Sequence, residues 1–354
     1  MTPRVLPHPR DTARIAVRLT NWVGDAVMNT PFLTRLRELY PRAEIVALAR
    51  GNVAPVLEGH PAANAVWKID DKTFAGTREA ASRLRAWKPD AAFLLPNSMH
   101  SALLAVLGGA RTRVGYARDG RRPLLTHPVE LRPDDLAVHE TRYYLRLLDV
   151  FAPRTGPPPP LSLAVADGER AEMRRWLAEQ GIFPGQPIVA VNAGAFFGTA
   201  KRWLPQRYAE VAAHFVRTRG AAVVATGLAS EADVAAEVCR DRAGLWVNAA
   251  GRMSLRQLMA FLAEADLLLT NDSGAMHLAA ALGTPLVAVF GSTDWVTTAP
   301  LSPRSRIVRA DTPCAPCLLR HCPIDHRCMT AVGAPEVTAA AEELLARGRR
   351  PGPA

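Results

Sequence analysis

Apolar and polar positions along the chain form blocks that predict strands followed by helices. Short apolar runs have the length of buried strands, at 15–19, 44–49, 65–69 and 91–95. Amphipathic stretches with helical spacing lie among them, at 26–39 and 77–87. Regular alternation of strand and helix is typical of a mostly parallel sheet with helices on both faces. The first part of the chain is therefore predicted to be a doubly wound α/β domain.

A proline-rich segment at 153–160, with four consecutive prolines, interrupts this alternation. Such a segment is stiff and extended, so it is predicted to be part of an interdomain connection. Further strands are predicted after it, at 188–192, 222–226, 246–247, 266–270 and 286–290. The predicted domains are 10–160 and 161–334, and a final helix follows at 335–347.

Composition narrows the class of protein. The 354 residues are 49% hydrophobic and 21% charged, as in an ordinary globular protein. No apolar run approaches the roughly 20 residues that span a bilayer, and we expect no signal peptide because the first residues contain no apolar core segment. We therefore expect a cytoplasmic protein with two domains, each large enough for its own core.

The formal net charge is +10, and much of the excess is arginine. One cluster lies in the first half: Arg111, Arg113, Arg118, Arg121 and Arg122. It could meet a phosphorylated substrate or an anionic membrane face, or it could simply be solvated. No nucleic-acid motif accompanies it, so nucleic acid is not an expected partner.

The most informative polar segment follows the apolar run at 265–269. Asp272 and Ser273 are good helix-capping residues, and Gly274 lets a ligand approach the backbone. Helical spacing resumes after His277. A strand, a polar turn and a helix are predicted here, at the edge of the sheet where ligands bind in open α/β folds. A helix N-terminus at that edge suits a phosphate group.

Two other turns carry candidate chemistry. Asp25 follows the first predicted strand, where its carboxylate could act as a general base or cap the next helix. Asn192 ends a later strand, and small residues after it lead to Lys201 and Arg202. Small residues let backbone N–H groups approach an anion, and the two cations offset its charge. Neither turn has the G-x-G-x-x-G pattern of a dinucleotide site.

The remaining polar positions are less specific. Met253 could pack against a base or belong to the core, and Asp70 and Asp71 are expected to be solvated turn residues. Four cysteines lie within 15 residues: Cys314, Cys317, Cys322 and Cys328. Only the first pair has zinc-like spacing, so structural zinc, a redox-sensitive cluster and reduced thiols all stay open.

Taken together, five segments resemble glycosyltransferase family 9, which contains the ADP-heptose:lipopolysaccharide heptosyltransferases. The matching segments occur in the same order as in the family, at 22–25, 192–203, 250–255, 270–285 and 290–300. The segment at 192–203 is most similar to the enzymes that add the second heptose of the inner core. The resemblance implies a GT-B architecture, with two Rossmann-like doubly wound domains facing a central cleft.

The resemblance also implies a mechanism and its residues. Inverting transfer would need neither a metal nor another cofactor, with Asp25 as the base and Lys201 stabilising the leaving diphosphate. The nucleotide sugar would be bound by one set of residues: Asn192, Lys201, Arg202, Glu231, Met253, Asp272, Ser273, Gly274 and His277. The implied partners are ADP-heptose and a lipid A–Kdo–heptose acceptor at the inner membrane. The C-terminal helix would cross back to the first domain.

Three alternatives stay open from the sequence. The chain could transfer heptose to another core position, or use a different sugar nucleotide. It could also be a non-catalytic nucleotide-sugar-binding module, although Asp25 and Lys201 would then have no purpose. An NAD-dependent oxidoreductase is disfavoured because the glycine fingerprint is missing.

Overall fold

The computed structural model describes His8 and residues 12–153, 156–240 and 242–346. It divides into two compact units, Met1–Ala164 and Val165–Ala354. The division falls shortly after the boundary that the proline-rich segment predicts. Ser162 belongs to the first unit, where its backbone N–H donates to Thr30 Oγ1 at 3.1 Å and its hydroxyl lies 3.0 Å from His60 Nε2.

The first unit is built on a parallel sheet of six strands in the order β3-β2-β1-β4-β5-β6. The strands are β1 (Arg14–Arg18), β2 (Glu44–Arg50), β3 (Ala65–Ile69), β4 (Ala91–Leu94), β5 (Thr112–Tyr116) and β6 (His127–Val129). The helices are α1 (Val23–Met28), α2 (Thr30–Leu39), α3 (Phe74–Trp87), α4 (Met99–Leu107) and α5 (Glu140–Asp149).

The second unit repeats this plan with the order β12-β11-β10-β7-β8-β9. Its strands are β7 (Ile188–Asn192), β8 (Ala222–Ala225), β9 (Trp246–Asn248), β10 (Leu267–Asn271), β11 (Leu286–Phe290) and β12 (Ser305–Arg309). Its helices are α6 (Asp167–Glu179), α7 (Pro205–Arg219), α8 (Ala232–Cys239), α9 (Leu255–Glu264), α10 (Gly274–Leu282), α11 (Trp295–Thr298), α12 (Arg327–Thr330) and α13 (Ala334–Ala346).

Both sheets have the strand order of a doubly wound Rossmann fold, 3-2-1-4-5-6 when the strands of each unit are counted from its first. The winding reverses between β1 and β4 in the first unit and between β7 and β10 in the second. Ligands of such sheets bind outside the carboxyl ends of the strands at this reversal. The predicted α/β class is confirmed, and each unit has one expected binding edge.

Local residues explain where the first helices differ from the prediction. The single helix expected over 26–39 is two helices, α1 and α2, which meet at Asn29. Asn29 is fully buried, and its side-chain oxygen accepts from the backbone N–H and hydroxyl of Thr20. Pro31 then lies in the first turn of α2, where its missing N–H is not needed. These contacts turn the chain at Asn29, at the end of the short helix that carries Asp25.

The edge strands β6 and β12, and β5 beside β6, were not expected from the pattern. Their sequences mix charged and apolar residues, as in Ser305–Arg309, and β6 has only three residues. Short strands at or beside a sheet edge can lack the continuous apolar run that marks a strand buried on both faces.

The C-terminal helix α13 is part of the second unit. Val337, Ala341 and Leu344 are buried in its core together with Val287 of β11 and Phe215 of α7. The apolar face of α13 is therefore buried on the second sheet, and the crossing of this helix to the first domain stays a prediction.

Asp71 is buried rather than solvated, which also corrects an expectation. Its carboxylate lies 2.6 Å from both Arg18 and Arg50, and the side chains of Asp71 and Arg18 are 3% and 2% exposed. Burial opposes ionisation of Asp71, but the two arginines outweigh it, so the pKa of the carboxyl lies below its usual range. Arg18 also donates to Asn21 at 2.7 Å and thereby fixes the turn after β1.

Candidate active site

The binding edge of the second unit is formed where β7 and β10 end. These strands are neighbours, with Thr270 opposite Asn192. The residues that follow them therefore lie side by side, and we call this region the β7/β10 edge: Asn192, Ala193, Gly194, Asn271, Asp272, Ser273 and Gly274. Asn192 is 7% exposed and donates to Thr226 through its side chain, while its oxygen lies 3.5 Å from the Ser273 hydroxyl.

Ser273 caps α10, as the sequence predicts. Its hydroxyl accepts from the backbone N–H of Met276, and Gly274 is the first residue of the helix. His277 is buried in the first part of this nine-residue helix. The positive end of the helix dipole is therefore at the β7/β10 edge, where it favours an anion.

Lys201 reaches this edge from a 3₁₀ turn, Thr199–Lys201. Its ammonium nitrogen is 2.7 Å from the carboxylate of Asp272, and the two side chains are 15% and 5% exposed. The same nitrogen is 5.0 Å from the centre of the Phe197 ring. A cation held this rigidly beside a helix N-terminus can stabilise negative charge on a leaving group.

Asn271 holds the edge together, and sequence reasoning gave it no role. Its side-chain oxygen accepts from the backbone N–H of Trp203 at 2.8 Å and from the Tyr208 hydroxyl at 2.7 Å. Its nitrogen donates to the carbonyls of Ala193 and Gly194. The sequence feature that could have identified Asn271 is its position as a polar residue at the end of a buried strand.

Glu231 is placed at the same edge by close packing. It is 6% exposed and accepts from the backbone N–H of Leu228 at 2.9 Å. A Cβ atom added to Gly194 would overlap the Glu231 carboxyl group, so only glycine leaves room at that position. Glu231 thus borders the segment that follows β7, as the predicted nucleotide site requires.

Arg202 and Met253 lie at the margins of the site. Arg202 is half-buried, and its guanidinium is 3.5 Å from the carbonyl of Ala195 in the segment after β7. Met253 is half-buried in the turn between β9 and α9, so it is not the core residue that local pattern favoured. Gly251 in that turn packs against Ala229, which begins the 3₁₀ turn that contains Glu231.

The binding edge of the first unit contains a cavity of about 280 Å³. Asp25 lines it from the first turn of α1, and Asn97, Arg118 and Glu140 line it from other elements. The N-cap of α1 is Trp22, so Asp25 is not the capping residue that was weighed as an alternative. We call this space the Asp25 cavity.

Burial raises the pKa values of two side chains at the Asp25 cavity, Glu140 and Tyr144. Desolvation raises the pKa of Glu140, partly opposed by a hydrogen bond from Tyr144. Burial, with the nearby charges of Asp25 and Glu140, raises the pKa of Tyr144 well above its usual value. Tyr144 therefore stays protonated as a hydrogen-bond donor at neutral pH. This pair was missed because α5 is far from Asp25 in the sequence.

Two arginines of the predicted anion-binding cluster are structural. Arg121 is fully buried and donates to the carbonyls of Tyr116 and Pro96, and Arg113 donates to those of Leu124 and Ala110. Arg122 pairs with Glu130. Arg118 lines the Asp25 cavity. Arg121 therefore fits neither of the two possibilities considered for the cluster, since a fully buried guanidinium is neither solvated nor open to an anionic partner.

The four clustered cysteines lie at 314–328, a segment that is irregular until α12 begins at Arg327, and we call it the cysteine segment. Cys314 and Cys317 are exposed, Cys322 is half-buried and Cys328 is buried. Within the described ranges, no three His, Cys, Asp or Glu side chains are grouped so that they could hold a metal ion. The segment contacts the Lys201 turn: the backbone carbonyl of Arg320 accepts from the backbone N–H of Ala200 at 3.0 Å.

Two doubly wound units, each with a polar binding edge, are the parts of a GT-B glycosyltransferase. Comparison with known proteins agrees with this class. The model of glycosyltransferase family 9 (heptosyltransferase) matches residues 77–327, and the chain belongs to this family.

Relatives and solved structures extend the match over nearly the whole chain. Lipopolysaccharide heptosyltransferase 2 of Salmonella typhimurium is 32% identical over 84% of this chain and 88% of its own, as is that of Escherichia coli K12. The structure of E. coli ADP-heptose LPS heptosyltransferase II has a TM-score of 0.82 at 28% identity, covering 94% of this chain and 99% of its own. A family 9 glycosyltransferase from Veillonella parvula shares the fold, with a TM-score of 0.85, 23% identity and coverage of 95% and 98%.

Proposed function

We propose that this chain transfers heptose from ADP-L-glycero-D-manno-heptose to the inner core of lipopolysaccharide, as the second heptose on heptosyl-Kdo₂-lipid A. The observation that carries the proposal is the Lys201–Asp272 pair at the N-terminus of α10, at the reversal point of the second sheet. Family membership and the heptosyltransferase 2 relatives support the choice of sugar and acceptor.

In the proposed reaction, the Asp25 carboxylate takes the proton from the attacking hydroxyl of the acceptor. The oxygen forms a bond to the anomeric carbon of heptose, with inversion. The bond from that carbon to the diphosphate breaks, and its electron pair leaves with ADP. Lys201 and the first turn of α10 stabilise the charge that develops on the diphosphate.

The other residues of the β7/β10 edge bind the nucleotide sugar in this proposal. Asp272 accepts hydrogen bonds from heptose, and His277 lies near the diphosphate. Glu231 accepts from the ribose hydroxyls, and Met253 packs on adenine. Asn192, Ser273 and Gly274 complete the site through the turn geometry described above, with Arg202 at its margin.

The acceptor is proposed to enter the Asp25 cavity of the first unit. Carboxylates, amides and phenols line this cavity, which suits the hydroxyls of a sugar. Arg118 in the cavity and the exposed Arg111 would meet its anionic groups. Because such an acceptor is embedded in lipid, we propose peripheral contact with the cytoplasmic face of the inner membrane. None of the described helices is long and apolar enough to cross a bilayer.

A transfer assay with matched substrates tests the proposal. The intact chain is incubated with ADP-heptose and either heptosyl-Kdo₂-lipid A or Kdo₂-lipid A, and products are identified by mass spectrometry. We expect one added heptose on the first acceptor and no product with the second. Transfer to Kdo₂-lipid A alone would assign the first heptose instead.

The nucleotide is tested separately with UDP- and GDP-sugars, and by titration with ADP, UDP, GDP and NAD. Selective binding of ADP, lost in Lys201→Ala, is the expected result. Selective binding of UDP or GDP would keep the fold but contradict the heptose assignment. ADP-heptose binding without transfer to either acceptor would favour a non-catalytic module.

A further inference from the structure

Two adjacent hydroxyl residues follow β11 without the hydrogen bonds that buried groups require. Ser292 is 1% exposed and Thr293 is 7% exposed. Within the part of the chain that the structure describes, neither Ser292 Oγ nor Thr293 Oγ1 has a hydrogen-bond partner. Buried hydroxyls are nearly always bonded, because an unmet hydrogen bond costs free energy. Two such groups side by side point to a ligand.

The strand order places these hydroxyls beside the β7/β10 edge. β11 is the other neighbour of β10, with Val289 opposite Asn271, so the chain after β11 runs beside Asp272 and Ser273. Ser292 and Thr293 therefore follow the third of three adjacent strands whose carboxyl ends form one edge.

The face of the sheet can also be assigned. Val287 and Val289 pack in the core that contains α7 and α13, so Leu286, Ala288 and Phe290 point to the opposite face. The connection from β7 through α7 to β8 and the connection from β10 through α10 to β11 run in opposite directions across the sheet. Because both crossovers are right-handed, α10 lies on the face opposite to α7. Ser292 and Thr293 follow in the bend directly beyond the carboxyl end of β11, outside the alternation of the strand.

A backbone link joins Ser292 to the turn that carries Lys201. The carbonyl of Ser292 accepts from the N–H of Leu318 at 2.7 Å, and the carbonyl of Arg320 accepts from the N–H of Ala200 at 3.0 Å. Leu318 and Arg320, two residues apart in the cysteine segment, thus contact Ser292 and the Lys201 turn respectively. A ligand that touches Lys201 at the start of α10 would lie between the Lys201 turn and Ser292.

We propose that the hydroxyls of Ser292 and Thr293 donate hydrogen bonds to the diphosphate oxygens of the nucleotide sugar. The inference rests on the proposed function and adds two residues to its site. The positive end of α10 and the Lys201 ammonium call for an anion with several oxygens, and a hydroxyl can donate to each of two of them. Rotation about χ1 between staggered positions redirects each hydroxyl without moving the backbone.

The test compares Ser292→Ala and Thr293→Val with the wild-type chain by titration with ADP and adenosine, and by thermal unfolding without nucleotide. We expect each variant to bind ADP about 10-fold more weakly, which is the loss of roughly one hydrogen bond to a charged group. Adenosine affinity should not change, because adenosine has no phosphate. The melting temperature should be unchanged or higher, because the removed hydroxyl had no partner.

Thr284→Val is the matched control. Thr284 precedes β11 at the opposite end of the strand and is fully buried, and its hydroxyl donates to the carbonyl of Leu262 at 2.6 Å. This variant should melt at a lower temperature and keep its affinity for ADP.

Each other outcome is decisive. Wild-type affinity for ADP in both variants would overturn the inference and leave the proposed function standing. A lower melting temperature in both variants would show that the hydroxyls bond within the protein, which also overturns it. Failure of the wild-type chain to bind ADP would contradict the proposed function and the inference together.

Discussion

At the scale of single residues, the central feature is a cation and a carboxylate that share a largely buried position. Lys201 and Asp272 come from different loops, 71 positions apart, and meet at 2.7 Å. Each neutralises the other where water has little access. Removing one partner of such a pair leaves the other charge uncompensated, which costs more than removing both.

We therefore expect Lys201→Ala to lower the free energy of unfolding of the second unit by about 3 kcal/mol. It should also weaken ADP binding by roughly 10- to 100-fold, the worth of a charged hydrogen bond. Adding Asp272→Asn should restore most of the stability, but ADP affinity should stay at least about 10-fold below wild type. Chemical denaturation and calorimetric titration measure the two effects.

Full affinity for ADP in the double variant, Lys201→Ala with Asp272→Asn, would contradict this account. Lys201 would then serve only to neutralise Asp272, and the leaving diphosphate would have to be stabilised elsewhere.

At the scale of elements, the junction of β10 and α10 shows what local sequence can predict. The apolar run of β10, the cap Ser273 and the glycine after it are sufficient, because each acts on its immediate neighbours. The structure confirmed this strand, turn and helix almost to the residue.

Contacts between distant segments could not be predicted in this way. Asn271 bonds to residues between 63 and 78 positions away, and Asp71 meets Arg18 at a separation of 53. From sequence alone, a polar residue at a strand end is predicted to be a solvated turn residue, because the sheet order that brings its partners beside it is not known. For the same reason, Asp25 could be identified from the sequence, whereas Glu140, which is distant from it in the sequence, could not.

The close packing of Gly194 on Glu231 gives a prediction for the segment after β7. Gly194→Ala places a methyl group where the Glu231 carboxyl lies, so Glu231 must move away from the position in which it is proposed to bind ribose. We expect about 10-fold weaker binding of ADP, as for loss of one good hydrogen bond to a charged group. Calorimetric titration measures this change.

Gly168→Ala in α6 is the matched control, because nothing lies within 4 Å of a Cβ atom at that position. It should keep ADP affinity and gain about 0.5–1 kcal/mol in stability, since alanine favours a helix. Equal ADP affinity in Gly194→Ala and wild type would remove Glu231 from the nucleotide site.

At the scale of the whole molecule, one fold plan is used twice for different tasks. Each unit has its own sheet, its own core and its own binding edge. The proposed reaction assigns the base to the first unit and the nucleotide sugar to the second, so neither unit is sufficient alone. Stability and nucleotide binding can therefore be assigned to one unit or the other, whereas transfer requires both.

His60 makes the stability of the first unit depend on pH. It is 2% exposed, and burial lowers its pKa from 6.5 to about 4. Between these values the unfolded chain binds a proton that the folded unit does not, so stability is full above pH 6.5 and falls as the pH drops toward 4. The loss between pH 7 and pH 4.5 should be about 2–3 kcal/mol.

Hydrogen exchange of first-unit peptides at the two pH values measures this loss, with His60→Gln as the comparison. The variant should be less stable at pH 7 but lose about 2 kcal/mol less on acidification. An identical loss in both proteins would show that other groups cause the pH dependence.

The most direct test of the whole account is one experiment on Asp25→Asn, in which heptose transfer and ADP affinity are measured in parallel with the wild-type chain. Loss of a positioned general base should reduce transfer by roughly 10²- to 10⁴-fold. Because Asp25 lies in the first unit and the nucleotide is assigned to the second, ADP affinity should not change. Unchanged transfer by Asp25→Asn would contradict the assignment of the base and, with it, the proposed mechanism.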